Sequence, residues 1–242
     1  MSLNIFNRHI PVGLFIPVLI CIATVFFPGC KSRAQPDGLQ VIESLTLDSV
    51  PSGSGLAVGR RDSLYIIGDD ATRLYGAGKN EYQFKGISIA SIPGNHYREP
   101  KPVKHDFESA AVITVAGTPL LLAFGSGSQT PTRDSVLMVN LRMLDNQVTF
   151  SLTAFYDSLR IQTGTDRAMW NIEGSCMTRE NLFLANRGNN LLIMLESNAF
   201  LAYMLQQGMP MPKAKKWEIV HLPELEGKQA RLSGLSTIND SL

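Results

Sequence analysis

Apolar residues in this chain fall in short runs, broken by glycine, proline and clustered polar residues. One phrase recurs among those runs. Its anchors are Ser54-Gly55-Leu56-Ala57-Val58, Glu108-Ser109-Ala110-Ala111-Val112, Glu173-Gly174-Ser175-Cys176-Met177 and Ser233-Gly234-Leu235-Ser236-Thr237. The anchors return at intervals of about 60 residues, marked by Gly55, Ser109, Gly174 and Gly234. Each of the first three is followed by a second apolar strand that ends in polar or small residues. These are Leu64 to Asp70, Leu120 to Ser126 and Leu182 to Arg187. A repeating all-β unit of this length reads as a propeller blade.

The rest of each unit fits the same reading. In the first, Arg73 to Gly76 predicts a third strand and Phe84 to Ile92 a fourth. In the second, the four strands are expected over Ala110–Val115, Leu120–Phe124, Val136–Leu141 and Val148–Tyr156. In the third they are expected over Ser175–Thr178, Leu182–Ala185, Leu191–Leu195 and Trp217–Leu222. Small residues at Gly55, Ala110, Gly174 and Gly234 suit inner strands crowded against an axis. Gly94 to Val103 reads as a loop between blades. Ser197 to Gln207 has helical spacing, with Phe200, Tyr203, Met204 and Gln207 on one face, Ser197 as N-cap and Gly208 as stop. The predicted fold is an all-β propeller over 39–242, with about three blades and the start of a fourth. Closure around an axis takes ~4–8 blades. The expectation is therefore a truncated array of six-bladed type, or a ring completed by homodimerisation.

The N-terminal segment 1–30 reads as a signal for export. Arg8 and His9 precede an apolar run from Ile10 to Phe27, closed by Pro28-Gly29-Cys30. A small residue followed by cysteine is the pattern of a lipoprotein signal, with Cys30 as the lipidated residue. The alternative is an uncleaved membrane anchor, since the run is long enough to span. Either way the body is expected outside the cytoplasm, on the cell envelope, tethered through the polar segment 31–38. Of the three cysteines, Cys21 and Cys30 lie in the leader, which leaves Cys176 unable to form a disulfide within the fold. It is expected to be a buried small hydrophobe. The chain carries 22 basic and 21 acidic residues, and removing Arg8 with the leader leaves the two balanced. That balance, with no basic stripe, gives no case for nucleic acid.

Several motifs in combination resemble an uncharacterised bacterial propeller family. They are Asp106-Phe107-Glu108, Leu122 to Ser128, Arg133-Asp134, Asn171-Ile172-Glu173-Gly174 and Asn186-Arg187-Gly188-Asn189. The likeness spans about Leu45 to Leu242. The family is common in Bacteroidota and its members are often lipoproteins that continue beyond the point where this chain stops. It brings no assigned activity. More remotely, the anchor Glu-Gly and the polar strand ends resemble calcium-dependent propellers of the phytase-like and gluconolactonase-like groups. That likeness implies fold, not function.

Glu108 and Glu173 occupy equivalent places at inner-strand starts, so repetition would bring both carboxylates to the axial mouth. Asp69, Asp70, Asn186 and Arg187 end second strands, with Ser126 and Ser128 at the matching place. Oxygen clusters of this kind suit calcium, with Glu108 and Glu173 as the candidate ligands. Two carboxylates near one water could also serve acid–base chemistry, and Arg133 or Arg187 could grip a carboxylate or phosphate. A structural role is equally open, because Ser54 and Ser233 replace the acid in units one and four. His96, His105 and His221 lack metal spacing and read as loop or surface residues. Gly125-Ser126-Gly127-Ser128 lacks the strand–turn–helix context of a serine hydrolase. The functions expected are a non-catalytic module binding a protein or small molecule, a calcium-dependent hydrolase of phosphoesters or lactones, or a non-functional fragment.

Overall fold

The computed structural model describes residues 46–47, 50–78, 83–89, 98–206 and 208–237. The leader with Cys30, the tether 31–38, His96, Gln207 and the end of the fourth strand expected up to Ile92 lie outside the described residues. So do positions 94–97 of the expected loop. Every element below belongs to the compact unit Asp48–Leu242.

Three four-stranded antiparallel sheets follow one another along the chain, each with its strands in sequence order. The first holds β1 (Gly53–Val58), β2 (Leu64–Gly68), β3 (Arg73–Ala77) and β4 (Lys85–Ser88). The second holds β5 (Phe107–Val115), β6 (Thr118–Gly125), β7 (Ser135–Asn140) and β8 (Gln147–Ser151). The third holds β9 (Ile172–Met177), β10 (Asn181–Asn186), β11 (Leu191–Glu196) and β12 (Ala214–Ile219). Helix α1 (Thr153–Thr163) links the second sheet to the third, and α2 (Ser197–Leu205) joins β11 to β12. A hairpin of β13 (Glu224–Leu225) and β14 (Lys228–Gln229) follows. Its turn is Glu226-Gly227, both at positive φ (51° and 73°), as a two-residue type I′ connection requires.

The first strands of the sheets lie side by side, β1 against β5 and β5 against β9. Gly55 shows how tight this is. A Cβ there would stand 2.7 Å from Ile67 Cγ2 and 2.9 Å from the Ser109 carbonyl carbon. At Gly174 a Cβ would stand 2.9 Å from the Gly234 backbone. Gly55 and Ala57 therefore face inward on β1, while Leu56 and Val58 stay 48% and 59% exposed on its other face.

Two apolar cores separate the sheets. Ala57, Ile67 and Leu74 of the first sheet meet Phe107, Ala110 and Leu121 of the second. Phe124 and Val136 of the second meet Leu184 and Ile193 of the third, with both helices packed in. Phe155 of α1 and Phe200 of α2 touch at a ring-centroid distance of 5.2 Å. The Tyr156 hydroxyl donates to the Gly125 carbonyl at 2.8 Å inside this core.

Four expectations need correction. The strand expected over Val148–Tyr156 stops at Ser151, and Phe155 and Tyr156 belong to α1. Leu152, Phe155, Tyr156 and Leu159 share one helical face and are all fully buried. Gly164, at φ 64°, ends α1 in the left-handed conformation that favours glycine. The strand expected over Trp217–Leu222 runs instead over Ala214–Ile219, paired antiparallel with β11 with one register shift between Met194 and Leu195. The fourth anchor is not a strand: 231–237 carry no strand among the described residues, and a Cβ at Gly234 would meet nothing. Ser197 does not cap α2. It is the first helical residue, and its hydroxyl donates to the Thr178 carbonyl at 3.0 Å.

Replacing Gly55 by alanine should destabilise the protein by about 1–3 kcal/mol, because the added methyl meets backbone that cannot swing away. Urea denaturation would measure it. A loss near zero would mean that the inner strands are not held at backbone contact.

Candidate functional site

One irregularity repeats in all three sheets. Each first strand carries one extra residue near its start. In β1 the register shifts between Gly53 and Gly55, which leaves Ser54 unpaired with β2. In β5 it shifts between Phe107 and Ser109, which leaves out Glu108. In β9, Ile172 and Gly174 pair with successive residues of β10, which leaves out Glu173. These are β-bulges, which bend a strand and re-aim a side chain. They put Ser54, Glu108 and Glu173 in equivalent places on adjacent strands. Glu108 and Glu173 were expected to converge; the charge of Glu173 is among those that raise the pKa of Glu108.

The closest cluster is different from the one expected. Carboxylate oxygens of Asp69, Asp106 and Glu108 lie within 4.8 Å of one another, and Glu173 stands outside this group. Asp69 directly follows β2. Asp106 directly precedes β5 at φ 56° and is 4% exposed. Its Oδ2 accepts the Ser126 hydroxyl at 2.5 Å, the Ser128 hydroxyl at 3.3 Å and Arg133 Nη1 at 3.0 Å. Its Oδ1 pairs with Lys104 Nζ, which also reaches Asp69 Oδ2 at 2.7 Å.

Lys104 arrives on a loop that is clamped from within. The buried Glu99 carboxylate accepts the His105 backbone N–H at 2.9 Å and meets His105 Nδ1 at 2.8 Å. The Glu99 backbone N–H donates to the Asp70 carbonyl at 2.7 Å, and Arg98 pairs with Asp70 Oδ2 at 3.3 Å. His105 is thus a half-buried loop residue stacked on Phe107, while His221 is exposed as expected.

On the third sheet, Glu173 Oε1 accepts Asn171 Nδ2 at 2.7 Å and pairs with Arg187 Nη1 at 3.2 Å. Asn186, fully buried, is engaged on both ends of its amide. Its Oδ1 accepts the Asn171 N–H at 2.5 Å, and its Nδ2 donates to the Met169 carbonyl at 2.8 Å. Arg133 and Arg187 are likewise committed to carboxylates of the chain itself. Cys176 is 5% exposed, and burial pushes its thiol up to about 11, so it is an inert core residue.

The charges fall into a simple order. Burial opposes ionisation of Asp69, but the bond and charge of Lys104 outweigh it and hold its carboxyl below the usual value. Burial likewise opposes the charge on Lys104, and Asp106 and Asp69 together hold its pKa above normal. Glu108 goes the other way. Burial, then the charges of Asp106, Glu173 and Asp69, push it up to about 7 against a weak opposing bond from Ser54. Every other carboxylate of the cluster has a cationic partner. Among the described residues Glu108 has none.

Calcium fits this arrangement poorly. The ion takes 6–8 oxygen ligands. Here the Lys104 ammonium already stands between Asp69 and Asp106, and Asp106 spends both oxygens on Lys104, Arg133 and two hydroxyls. Asp69 Oδ1 and Asp70 Oδ1 have no hydrogen-bond partner among the described residues. Asp106 and Lys104 were absent from the candidate residues. Their spacing carried no period-two signal, because Lys104 lies in a loop, Asp106 turns at φ 56° and Glu108 sits in a bulge.

The chain belongs to the family described as "Family of unknown function (DUF6929)", which matches residues 49–242. No curated protein matches it. Among solved structures it is similar to "Structure of U3-55K", 12% identical with a TM-score of 0.38, over 70% of this chain and 40% of that one. It is also similar to the hydrazine synthase of Kuenenia stuttgartiensis, 12% identical with a TM-score of 0.35, over 66% of this chain and 37% of that one. The chain thus spans well under half the length of either.

Two outcomes follow from the charge order. Glu108 has a raised folded-state value, so its contribution to stability is fully present below about 4.5 and is lost as pH rises through about 7. Glu108→Gln should flatten the stability profile across that window, read by urea denaturation at a series of pH values. Lys104→Met should cost about 3 kcal/mol near neutral pH, because two carboxylates lose their shared cation. A cost below about 1 kcal/mol would place this pair among ordinary surface ion pairs.

Proposed function

We propose that this chain is a β-propeller-type, non-catalytic binding module that takes a small ligand bearing a positively charged amine at Glu108. The blade reading is supported by three sheets of identical strand order, their first strands side by side, and the same bulge in each. Ligands of such folds gather where strand starts and loops of several blades converge. Ser54, Glu108 and Glu173 stand at that place, with Asp69 beside them.

One observation carries the ligand class. Glu108 is half-buried among three other acids and is the one carboxylate of the cluster without a cation. A ligand ammonium would fill that vacancy in the charge pattern and satisfy Asp69 Oδ1 as well. Such a ligand leaves Lys104 in place, which a divalent ion would not. Export to the cell envelope and attachment through Cys30 remain part of the proposal, on the sequence pattern of 1–30.

Putrescine, a small diamine, is a direct probe. At pH 8, where Glu108 is mostly ionised, it should raise the thermal midpoint of the full chain, and at pH 6 the rise should shrink. Glu108→Gln should remove the rise at both. A midpoint that responds to calcium chloride but not to the diamine would favour the metal reading instead. No response to either would sink the cationic-ligand proposal.

A further inference from the structure

A groove of about 440 Å³ lies at the other end of β5, between the β5–β6 turn and α2. That size is typical of small-molecule sites. Along α2 it is lined at Asn198, Leu201, Ala202 and Leu205, which is one helical face. Ile113 and Val115 of β5 form the facing wall. Leu201 is nearly buried and Leu205 is 49% exposed, so the apolar stripe runs from core to solvent.

The lining holds one charged residue, Arg179, at the end of the groove near Asn198; the other polar side chains of the lining are Thr114 and Gln206. Arg179 lines the groove from the β9–β10 turn. The start of α2 lies beside that turn, because the Ser197 N–H donates to the Glu180 carbonyl at 2.9 Å. Arg179 is exposed and makes no ion pair among the described residues. No side chain caps the first turn of α2, so its remaining N–H groups point toward the same end. No carboxylate lines the groove. A free cation, an uncapped helix start and the Asn198 amide together favour negative charge there.

We infer that this groove binds a free amphiphilic anion, an aliphatic chain ending in a carboxylate. The carboxylate sits at Arg179 and Asn198, and the chain lies along Leu201 and Leu205 against Ile113 and Val115. The site is separate from the Glu108 cluster and does not depend on it.

Calorimetric titration of the full chain with monomeric sodium decanoate tests this. One equivalent should bind. Arg179→Gln should weaken binding about tenfold or more through loss of the charge-assisted contact. Leu205→Glu, at an exposed position that should not impair folding, should abolish it, with circular dichroism confirming the fold. Glu108→Gln should leave it unchanged. Decanol binding as tightly as decanoate would overturn the inference, since the headgroup would then go unread. So would an absence of decanoate binding, including the case where the chain instead binds phosphatidylglycerol vesicles.

Discussion

The approach of neighbouring first strands to backbone contact is the constraint on which the rest of this structure depends. Gly55 of β1 meets Ser109 of β5 at a distance that leaves no room for a side chain on Gly55, and Gly174 of β9 is held as closely by the backbone of Gly234, which lies in no strand. Strands this close carry their flanking residues close as well. Ser54, Glu108 and Glu173 each stand one residue before Gly55, Ser109 and Gly174, and a bulge at each sets them aside from the ladder. Backbone packing therefore forces acidic side chains toward one another before any ligand is considered.

The protein manages the resulting repulsion with cations drawn from distant parts of the chain. Lys104 comes from a loop, Arg133 from the connection before β7, and Arg187 from the end of β10. Lys104 joins the end of β2 to the residue before β5 and so ties the first sheet to the second, whereas Arg133 and Arg187 each close a pair within one sheet. Asp106 shows the extent of this. It adopts positive φ, is buried, and still accepts from two hydroxyls and two cations. A buried carboxylate is tolerable only with such partners. Glu108 lacks one and responds by holding its proton to near neutral pH. The imbalance is local, and it is the feature on which the proposed binding of a cationic ligand rests.

The two helices fill a different need. Between the first and second sheets, small residues such as Ala57 and Ala110 allow direct packing. Between the second and third, Phe155, Tyr156 and Phe200 enter from α1 and α2 and thicken the core. One face of α2, from the buried Leu201 to the exposed Leu205, lines a surface groove beside β5.

Much of this was legible in the pattern of the chain. Three of the four repeated small-residue anchors located the first strands of the sheets, and alternation and turn residues located most of the others to within a few positions. Repetition also singled out Glu108 and Glu173. Helix α1 was missed because Val148 to Thr153 alternates apolar and polar residues like a strand and runs on into Ala154-Phe155-Tyr156, and only burial of Leu152, Phe155, Tyr156 and Leu159 on one face separates helix from strand there. Lys104 and Asp106 were missed because their roles arise from contacts between separate segments. Local pattern determines which residues are strand and which are turn, since that choice rests on backbone preference and on alternating burial. Which charges meet, which remain unpaired and which face stays open depend on bulges and on loops crossing between sheets. Those are set by the three-dimensional approach of residues far apart in the chain, and only the tertiary structure decides them.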